Sequence, residues 1–179
     1  MDGLKGRQFI LGFQDESSPQ TIANTVRLWS PDRPRCDKNT DKLKANAFGF
    51  YPINGGRPVI SFPPSSKTAD MCSFLEDVRR ECGSDLPILM ILDNCPFHHA
   101  KAVAEQAALL DIYLVFLPPY SPQFNPIEYI WKTLKRTVST TLFHDLDHMT
   151  SVLTEKFSVE ASKLSYSKNW PFKFLCGIS

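Results

Sequence analysis

The sequence predicts an α/β fold in which helices flank a mixed central sheet. Two observations indicate this class. Strand-like apolar runs joined by turn residues fill the first third of the 179-residue chain, and strands that alternate with amphipathic helices follow them. Hairpins first and alternating β and α elements later are expected of a sheet with an antiparallel part and a parallel part.

The N-terminal part of this pattern consists of strands. Their apolar, β-branched and aromatic residues place them near 7–15, 24–29, 46–53 and 57–62. Between the last two, Asn54-Gly55-Gly56 predicts a hairpin turn, because Asn and Gly tolerate the positive φ angles that such a turn needs.

Helices and strands alternate in the following segment. Helical spacing predicts a helix over about 67–82, with the apolar stripe Met71, Phe74, Leu75, Val78 and Cys82. Strand 87–93, helix 99–110, strand 112–117 and helix 126–141 come next. The first of these two helices should turn Val103, Ala104, Ala107 and Leu110 inward, and the second should bury Ile127, Ile130, Trp131, Leu134 and Val138. This order of elements predicts a ribonuclease H-like fold.

One more amphipathic helix is predicted in the C-terminal part, with the stripe Leu146, Met149, Thr150, Leu153, Phe157, Ala161 and Leu164. We expect residues 1–142 to form the ribonuclease H-like core, and residues 143–179 to pack on it as a helix and tail of the same domain. The apolar segment 170–175 is suited to docking either on this domain or on a partner chain.

Composition excludes several classes of protein. The sequence has no run of about 18 apolar residues and no basic-then-apolar N-terminal signal, so we expect a cytoplasmic protein without a membrane partner, associated with the nucleoid if its source is prokaryotic. Five cysteines without a Cys-x-x-Cys pair indicate neither a disulfide framework nor a zinc site. A net charge of +1 is not that of a stand-alone, tight DNA binder.

Positive charge is nevertheless concentrated locally. Between positions 27 and 44, three Asp residues accompany the basic residues Arg27, Arg33, Arg35, Lys38, Lys42 and Lys44. Two interpretations of this segment stay open: it borders a DNA channel, or it is a solvated loop.

Two carboxylates occupy informative positions. Asp93 ends an apolar strand and precedes Asn94, and Glu128 lies in the first turn of a helix that follows a proline-rich loop. Each has a structural explanation when taken alone. Asp93 could form an Asx turn, and Glu128 could complete a helix cap with Asn125 or pair with Lys132.

A third acid is found upstream, where Asp15 and Glu16 close the first strand. Strand parity puts Asp15 on the side of Leu11 and Phe13, and Glu16 on the opposite side. If the strand is buried on both faces, parity does not choose between the two acids.

Together these motifs resemble the catalytic core of the DDE transposases, in particular the mariner-like insertion-sequence branch. The resemblance is carried by Asp15-Glu16-Ser17, by Asp93-Asn94 with His98 close behind, and by the loop Pro-Pro-Tyr-Ser-Pro-x-x-Asn-Pro-Ile-Glu that ends at Glu128. It covers roughly residues 7–142. The resemblance selects Asp15 over Glu16 and implies that Asp15, Asp93 and Glu128 are the catalytic residues and metal ligands.

The resemblance also implies a reaction. Two Mg²⁺ ions, for which Mn²⁺ can substitute, would be held by the three carboxylates, since hard cations prefer oxygen ligands. Water would free the ends of the element, and the new 3′ hydroxyl would then attack target DNA without a covalent protein intermediate. Transposon ends and target DNA are the expected partners, and a homodimer is the expected acting form.

Further residues are expected to assist. By resemblance, Asn94 and His98 would be auxiliary residues of the site, although a surface histidine at a helix end is the alternative for His98. Lys132, Lys135 and Arg136 follow Glu128 on the same helix, where they would bind the phosphates of DNA.

One departure from the family concerns DNA recognition. Related transposases carry helix-turn-helix units ahead of the catalytic domain, whereas this sequence reaches its first catalytic strand soon after Met1, so we expect specific recognition to lie elsewhere. Two other functions stay open: a host nuclease on the same fold, and a non-catalytic interaction module descended from a transposase. Retention of all three acids disfavours the module.

Overall fold

A computed structural model describes residues 8–22, 31–32, 39–83, 85–119 and 121–168. The expected strand 24–29, most of the basic segment that begins at Arg27 and the apolar tail segment 170–175 lie outside the described residues. In the part that is described, no helix is both long enough and apolar enough to cross a membrane.

A five-stranded mixed sheet forms the centre of the fold. Its strands are β1 (Ile10–Ser17), β2 (Ala47–Pro52), β3 (Val59–Ser61), β4 (Ile88–Leu92) and β5 (Ile112–Phe116), arranged in the order β3-β2-β1-β4-β5. β2 pairs antiparallel with β1 and β3, while β4 pairs parallel with β1 and β5. The predicted ribonuclease H-like arrangement, antiparallel first and parallel later, is therefore confirmed.

Four α-helices of the described chain cover the two faces of this sheet. They are α1 (Thr68–Cys82), α2 (Lys101–Leu109), α3 (Ile127–Thr140) and α4 (Leu146–Ser162). One apolar cluster joins the sheet to α1 and α2, and a second joins its opposite face to α3 and α4. The central strands are thus buried on both sides.

Because β1 is buried on both faces, the two acids at its end face different helices. Ile10 belongs to the cluster under α1 and α2, whereas Leu11 and Phe13 belong to the cluster under α3 and α4. β1 extends to Ser17, beyond its predicted end, so Asp15 and Glu16 both lie within the strand. Because side chains alternate along a strand, Asp15 faces the α3 side and Glu16 the α2 side.

The connection between β2 and β3 is longer than the predicted three-residue turn, since it includes residues 53–58. Gly55 and Gly56 have the expected positive φ angles of 139° and 81°. The side chain of Asn54 bonds to the backbone at the start of β1: its Oδ1 accepts from the Leu11 N–H at 2.6 Å, and its Nδ2 donates to the Phe9 carbonyl at 3.0 Å.

The predicted helix over 99–110 begins later than expected. Pro96–His99 form a 3₁₀ turn, and α2 begins only at Lys101. Val103 and Ala107 are buried as predicted, but Ala104 is exposed. That prediction was wrong because the short α2 buries only a narrow stripe against its neighbours.

The C-terminal helix buries Met149, Leu153, Phe157 and Ala161 in the same cluster as α3. Its predicted end residues Leu146 and Leu164 are exposed instead, at 42% and 45%. Leu146 is the first residue of α4 and Leu164 lies beyond its last turn, so neither reaches the sheet. The packing of the tail beyond residue 168 stays a prediction.

Candidate active site

A cleft of about 730 Å³ opens where the carboxyl ends of β1 and β4 meet the beginning of α3. Asp15, Asp93 and Glu128 all line it, although they come from distant segments of the chain. The parallel pairing of β1 with β4 sets Ile10 beside Ile88. The same register brings Asp15 and Asp93 to the same edge of the sheet, where the proline-rich loop before Glu128 forms a further wall.

Asp15 is the most buried of the three acids, with 8% of its surface exposed. Its Oδ2 accepts a hydrogen bond of 3.0 Å from the indole Nε1–H of Trp131. Burial, and then the negative charges of Glu128, Glu16 and Asp93, raise the pKa of Asp15 well above its ordinary value. A carboxyl group in such a position ionises readily only when a cation is close.

A glycine allows Trp131 to reach Asp15. Gly49 stands opposite Asp15 in the β1–β2 ladder, and a Cβ atom at this position would lie only 2.7 Å from the Trp131 ring and 3.0 Å from Phe157. The indole therefore lies directly over the glycine. Spacing along α3 predicted that Trp131 would be buried. The hydrogen bond of Trp131 was not predicted, although its burial was a signal for one, because a buried indole N–H usually has an acceptor.

Asp93 follows β4 directly and is half exposed, with 50% of its side chain accessible. Its Oδ1 accepts from the Cys95 N–H at 3.0 Å, as in an Asx turn, and lies 3.0 Å from His98 Nδ1. The hydrogen bond with His98 is the main reason that the pKa of Asp93 is lowered. The carboxylate of Asp93 therefore both forms an Asx turn and lines the cleft.

His98 is fully buried, so the surface-histidine alternative is wrong. The 3₁₀ turn directs the ring inward, and its Nε2 lies 2.9 Å from Oε1 of Glu16. Burial lowers the pKa of His98, but hydrogen bonds to Asp93 and Glu16 outweigh it and raise the pKa to about 9. The sequence analysis did not select Glu16 as a site residue. The sequence nevertheless offered a signal for it, because a second acid on the opposite face of a buried strand needs a partner.

Asn94 also lines the cleft, and its carboxamide is engaged at both ends. Nδ2 donates to the Leu117 carbonyl at 3.2 Å, and Oδ1 lies 2.6 Å from His99 Nε2. The first of these bonds ties the end of β4 to the segment that follows β5. Asn94 therefore fixes the edge of the sheet at which the acids meet.

Glu128 is exposed in the first turn of α3. The capping explanation is wrong, because Pro126 occupies the N-cap position in a helical conformation and leaves Asn125 outside the helix. Asn125 is 3% exposed, lines the cleft and has an Oδ1 without a hydrogen-bond partner among the described residues. Nor do the ion pairs between described residues include one from Glu128 to Lys132.

The predicted phosphate-binding residues continue along α3 from Glu128. Lys132 and Arg136 are exposed, and Lys135 is half-buried. Lys132 is one helical turn after Glu128, and Arg136 is two turns after it. Basic side chains therefore follow the helix away from the acidic cleft.

The donor atoms in the cleft fit a hard divalent cation. They are carboxylate oxygens of Asp15, Asp93 and Glu128 and the unpartnered amide oxygen of Asn125, and Mg²⁺ prefers oxygen ligands of this kind. Cys95 lines the same cleft, but burial raises the pKa of its thiol, which makes the thiolate less available. A soft metal would need the thiolate.

Comparison with known proteins agrees with this geometry. Residues 11–150 match the family described as DDE superfamily endonuclease. The uncharacterized protein y4pE/y4sA of Sinorhizobium fredii (strain NBRC 101917 / NGR234) is 31% identical over 86 residues, which are 47% of this chain and 61% of that protein.

Solved structures of the Mos1 mariner transposase share the fold. A paired end complex with Mg is 17% identical with a TM-score of 0.69, and the match covers 96% of this chain and 56% of that one. A pre-cleavage Mos1 transpososome is 16% identical with a TM-score of 0.68, and the match covers 93% of this chain and 54% of that one. The Mos1 catalytic domain with Raltegravir and Mg is 14% identical with a TM-score of 0.67, and the match covers 91% of this chain and 79% of that one.

The chain thus spans little more than half the length of the transposases in the paired end complex and the transpososome, and less than two thirds of the rhizobial protein. The family match, by contrast, extends over most of the chain and includes the elements that carry Asp15, Asp93 and Glu128. This chain belongs to the DDE superfamily endonucleases.

Proposed function

We propose that this chain is the catalytic domain of a transposase, which cleaves DNA and transfers the cleaved strand with the help of two divalent metal ions. The observation that carries the proposal is that Asp15, Asp93 and Glu128 line one cleft whose available donor atoms are oxygens. Membership in an endonuclease family supports the cleavage reaction. Similar folds occur in Mos1 structures described as paired-end and strand transfer complexes.

In this proposal, Asp15, Asp93 and Glu128 hold two Mg²⁺ ions, and Mn²⁺ can substitute. Such ions, when bound, activate water and stabilise charge on the attacking and leaving oxygens. Trp131 holds the carboxylate of Asp15, while His98 and the Cys95 N–H hold that of Asp93. Two of the three ligands are therefore oriented in advance, whereas Glu128 stands exposed at the beginning of α3.

Lys132, Lys135 and Arg136 would bind phosphates of the DNA that enters the cleft beside Glu128. Their place on α3, one and two turns further along, supports this role because charge-assisted bonds to phosphate fix the register of a duplex. The proposed partners are the ends of the element and target DNA. By resemblance to the family, the acting form is a homodimer.

Product analysis tests the proposal. The chain is incubated with supercoiled plasmid and with a 3′-hydroxyl oligonucleotide that carries an element end, in Mg²⁺, in Mn²⁺ or in chelator. We expect nicking and joining of the oligonucleotide to plasmid, both dependent on metal and both lost in Asp15→Asn. Cleavage in chelator, or unchanged cleavage by Asp15→Asn, would contradict the assignment.

The same assay distinguishes the alternatives. A host nuclease would cleave DNA or an RNA–DNA hybrid in a metal-dependent way without joined products. A non-catalytic module would bind nucleic acid and produce neither product. Either pattern would replace the transposase proposal.

A further inference from the structure

A line of three side chains runs from β1 to the end of β4 beside the cleft. Glu16 Oε1 lies 2.9 Å from His98 Nε2, and His98 Nδ1 lies 3.0 Å from Asp93 Oδ1. The ring of His98 is inaccessible, and 17% of the Glu16 side chain is exposed. Only Asp93, at the end of the line, is open to the cleft.

We propose that Glu16 is a positioning residue that acts through His98 to hold the carboxylate of Asp93 toward the cleft. The inference deepens the proposed function and rests on it, because it assigns Asp93 as a metal ligand. An imidazole between two acceptors has its orientation set by both of them. Removal of the Glu16 acceptor should therefore loosen the hold of His98 on the carboxylate of Asp93.

The packing around His98 supports this arrangement. Nδ1 also lies 3.3 Å from the backbone carbonyl of Asp93, and the ring of Phe97 packs edge-on with a centroid distance of 4.2 Å. These contacts limit translation of the imidazole, whereas the bond to Glu16 fixes which nitrogen faces Asp93. Two adjacent acids of β1 thus act on opposite sides: Asp15 lines the cleft, and Glu16 supports Asp93 from behind.

The same three residues could instead hold an ion themselves, since their ligand atoms lie within 4.8 Å of one another. The hydrogen bonds favour the positioning role. Oε1 of Glu16 already accepts from Gln14 Nε2 at 2.7 Å as well as from His98. Both ring nitrogens of His98 face carboxylates, so neither is turned toward an open coordination site.

A double-mutant cycle separates these roles. Mn²⁺ affinity is measured by electron paramagnetic resonance for the parent, for Glu16→Met, which keeps the side-chain length but removes the acceptor, for His98→Asn and for the double variant. Each single change should weaken binding about 10- to 100-fold, as is usual for residues that orient a ligand. The double variant should bind no more weakly than His98→Asn, because Glu16 acts only through the ring. Glu81→Met, the same change at an exposed acid, is the matched control and should bind as the parent does.

Losses that multiply in the double variant would mean that Glu16 acts independently, and would overturn the proposal. Parent-like Mn²⁺ binding by Glu16→Met would overturn it too. If Glu16→Met does not fold, Glu16→Asp, which keeps the charge but withdraws the carboxylate by one methylene, takes its place in the cycle with the same expected loss.

A metal-free measurement keeps this test separate from that of the transposase reaction. Nitrogen NMR of the His98 ring in chelator reports the surroundings of Nδ1 and Nε2 without DNA or metal. Glu16→Met should change the signals of both nitrogens, because the whole ring loses its orientation. An unchanged Nδ1 signal would show that Asp93 holds the ring unaided and would overturn the proposal, whether or not the parent cleaves DNA.

Discussion

Neighbouring carboxyl groups in the cleft have opposite electrostatic properties. Burial and nearby acids raise the pKa of Asp15, whereas the bond with His98 lowers the pKa of Asp93. Without metal, the fold therefore opposes the charged form of Asp15 and favours that of Asp93. A bound cation would remove the penalty at Asp15, which couples metal binding to stability.

We predict that this contrast is measurable in metal-free protein. Asp15→Asn keeps an oxygen acceptor for Trp131 and removes an unfavourable charge, so it should raise Tm at neutral pH. The raised pKa means that the penalty is absent below the unfolded-state pKa and complete above the folded-state pKa. Asp93→Asn should lower Tm, because ionised Asp93 stabilises the fold above its unfolded-state pKa.

Thermal unfolding with and without Mn²⁺ checks the prediction. At 100 times its dissociation constant, a ligand stabilises the folded state by about 2.7 kcal/mol. Mn²⁺ at that concentration should therefore stabilise the parent by about this amount and Asp15→Asn by far less. A parent whose Tm does not respond to Mn²⁺, or an Asp15→Asn variant that is less stable in chelator, would contradict it.

Glu128 gives a second prediction at the scale of a single residue. Its side chain is exposed and Asn125 does not cap α3, so Glu128→Gln should change the free energy of unfolding by less than about 0.5 kcal/mol. Metal-dependent cleavage should collapse, because an anionic ligand is lost. Denaturant unfolding and plasmid nicking are compared with Glu81→Gln, an exposed acid on α1. Nicking by Glu128→Gln at the parent rate would remove Glu128 from the ligand set.

The resemblance of the sequence to a known family selected three acids that line one cleft, but it did not predict the residues that hold them. Strand parity separated Asp15 from Glu16, yet β1 is buried on both faces, so parity did not show which of them faces the cleft. The bonds from Trp131 to Asp15 and from Glu16 to His98 connect different elements. Such contacts depend on how the helices pack on the sheet, which spacing along the chain does not reveal.

At the scale of elements, α4 contains one buried acid, Glu160, whose charged partners are partly exposed. Glu160 is 4% exposed and accepts hydrogen bonds from Lys163 Nζ and the Tyr166 hydroxyl, both at 2.8 Å, while Lys156 Nζ lies 3.1 Å away. These partners, Lys163 first, lower the pKa of Glu160 to about 2. These contacts fasten the end of α4 to the turn that follows it.

Glu160→Gln should therefore destabilise the protein in a pH-dependent way. At neutral pH we expect a loss of about 1 kcal/mol, a modest value because the lysine partners are partly exposed to screening water. A lowered pKa stabilises the fold above the unfolded-state pKa, so the difference from the parent should be complete above about 4.5 and fade as pH falls toward about 2. Denaturant unfolding across this range measures it.

Glu155 provides the control, since it is exposed on the same helix. Glu155→Gln should leave stability unchanged at every pH. A Glu160→Gln difference that stays constant down to about pH 2 would show that lost packing, and not charge, causes the effect.

Spacing predicted most elements, because an amphipathic helix or buried strand has a strong period. The 3₁₀ turn before α2 was not predictable in this way. His98 lies within that turn and is held by Glu16 of β1, so a tertiary contact fixes the turn that precedes α2. The connection around Asn54 differs from the predicted turn for a similar reason, since its side chain bonds to β1.

At the scale of the whole molecule, the order of strands in the sheet brings the three acids of the cleft to one edge. β1 and β4 are parallel neighbours, so their carboxyl ends deliver Asp15 and Asp93 together, and α3 begins beside them with Glu128. The net charge of the chain is only +1. Any DNA affinity must therefore come from local basic surfaces such as that of α3.

We predict that DNA binding by this chain is weak, steeply salt-dependent and indifferent to sequence. Replacing all of Lys132, Lys135 and Arg136 by Gln should weaken binding to every duplex about equally. If each contacts one phosphate, the slope of log affinity against log salt should fall in magnitude by about 2.7. Fluorescence anisotropy with an element-end duplex and a scrambled duplex, at several salt concentrations, measures both effects.

A charge-matched control is the Gln variant of three exposed basic residues on other elements, Arg57, Arg80 and Lys101. It should change the slope much less than the α3 variant does. Equal effects of the two triples would show that net charge, and not the α3 surface, determines affinity. A preference for the element end beyond roughly a thousandfold, the low end of specific recognition, would show that this domain reads sequence itself.

The central claim is that Asp15, Asp93 and Glu128 jointly hold divalent metal in one cleft. Anomalous diffraction from crystals soaked in Mn²⁺ tests it most directly. The account predicts Mn²⁺ peaks in the cleft, with an oxygen of each of the three carboxylates within about 2.6 Å, the upper end for hard divalent cations. Mn²⁺ bound only among Glu16, His98 and Asp93, or absent from the cleft at saturating concentration, would contradict it.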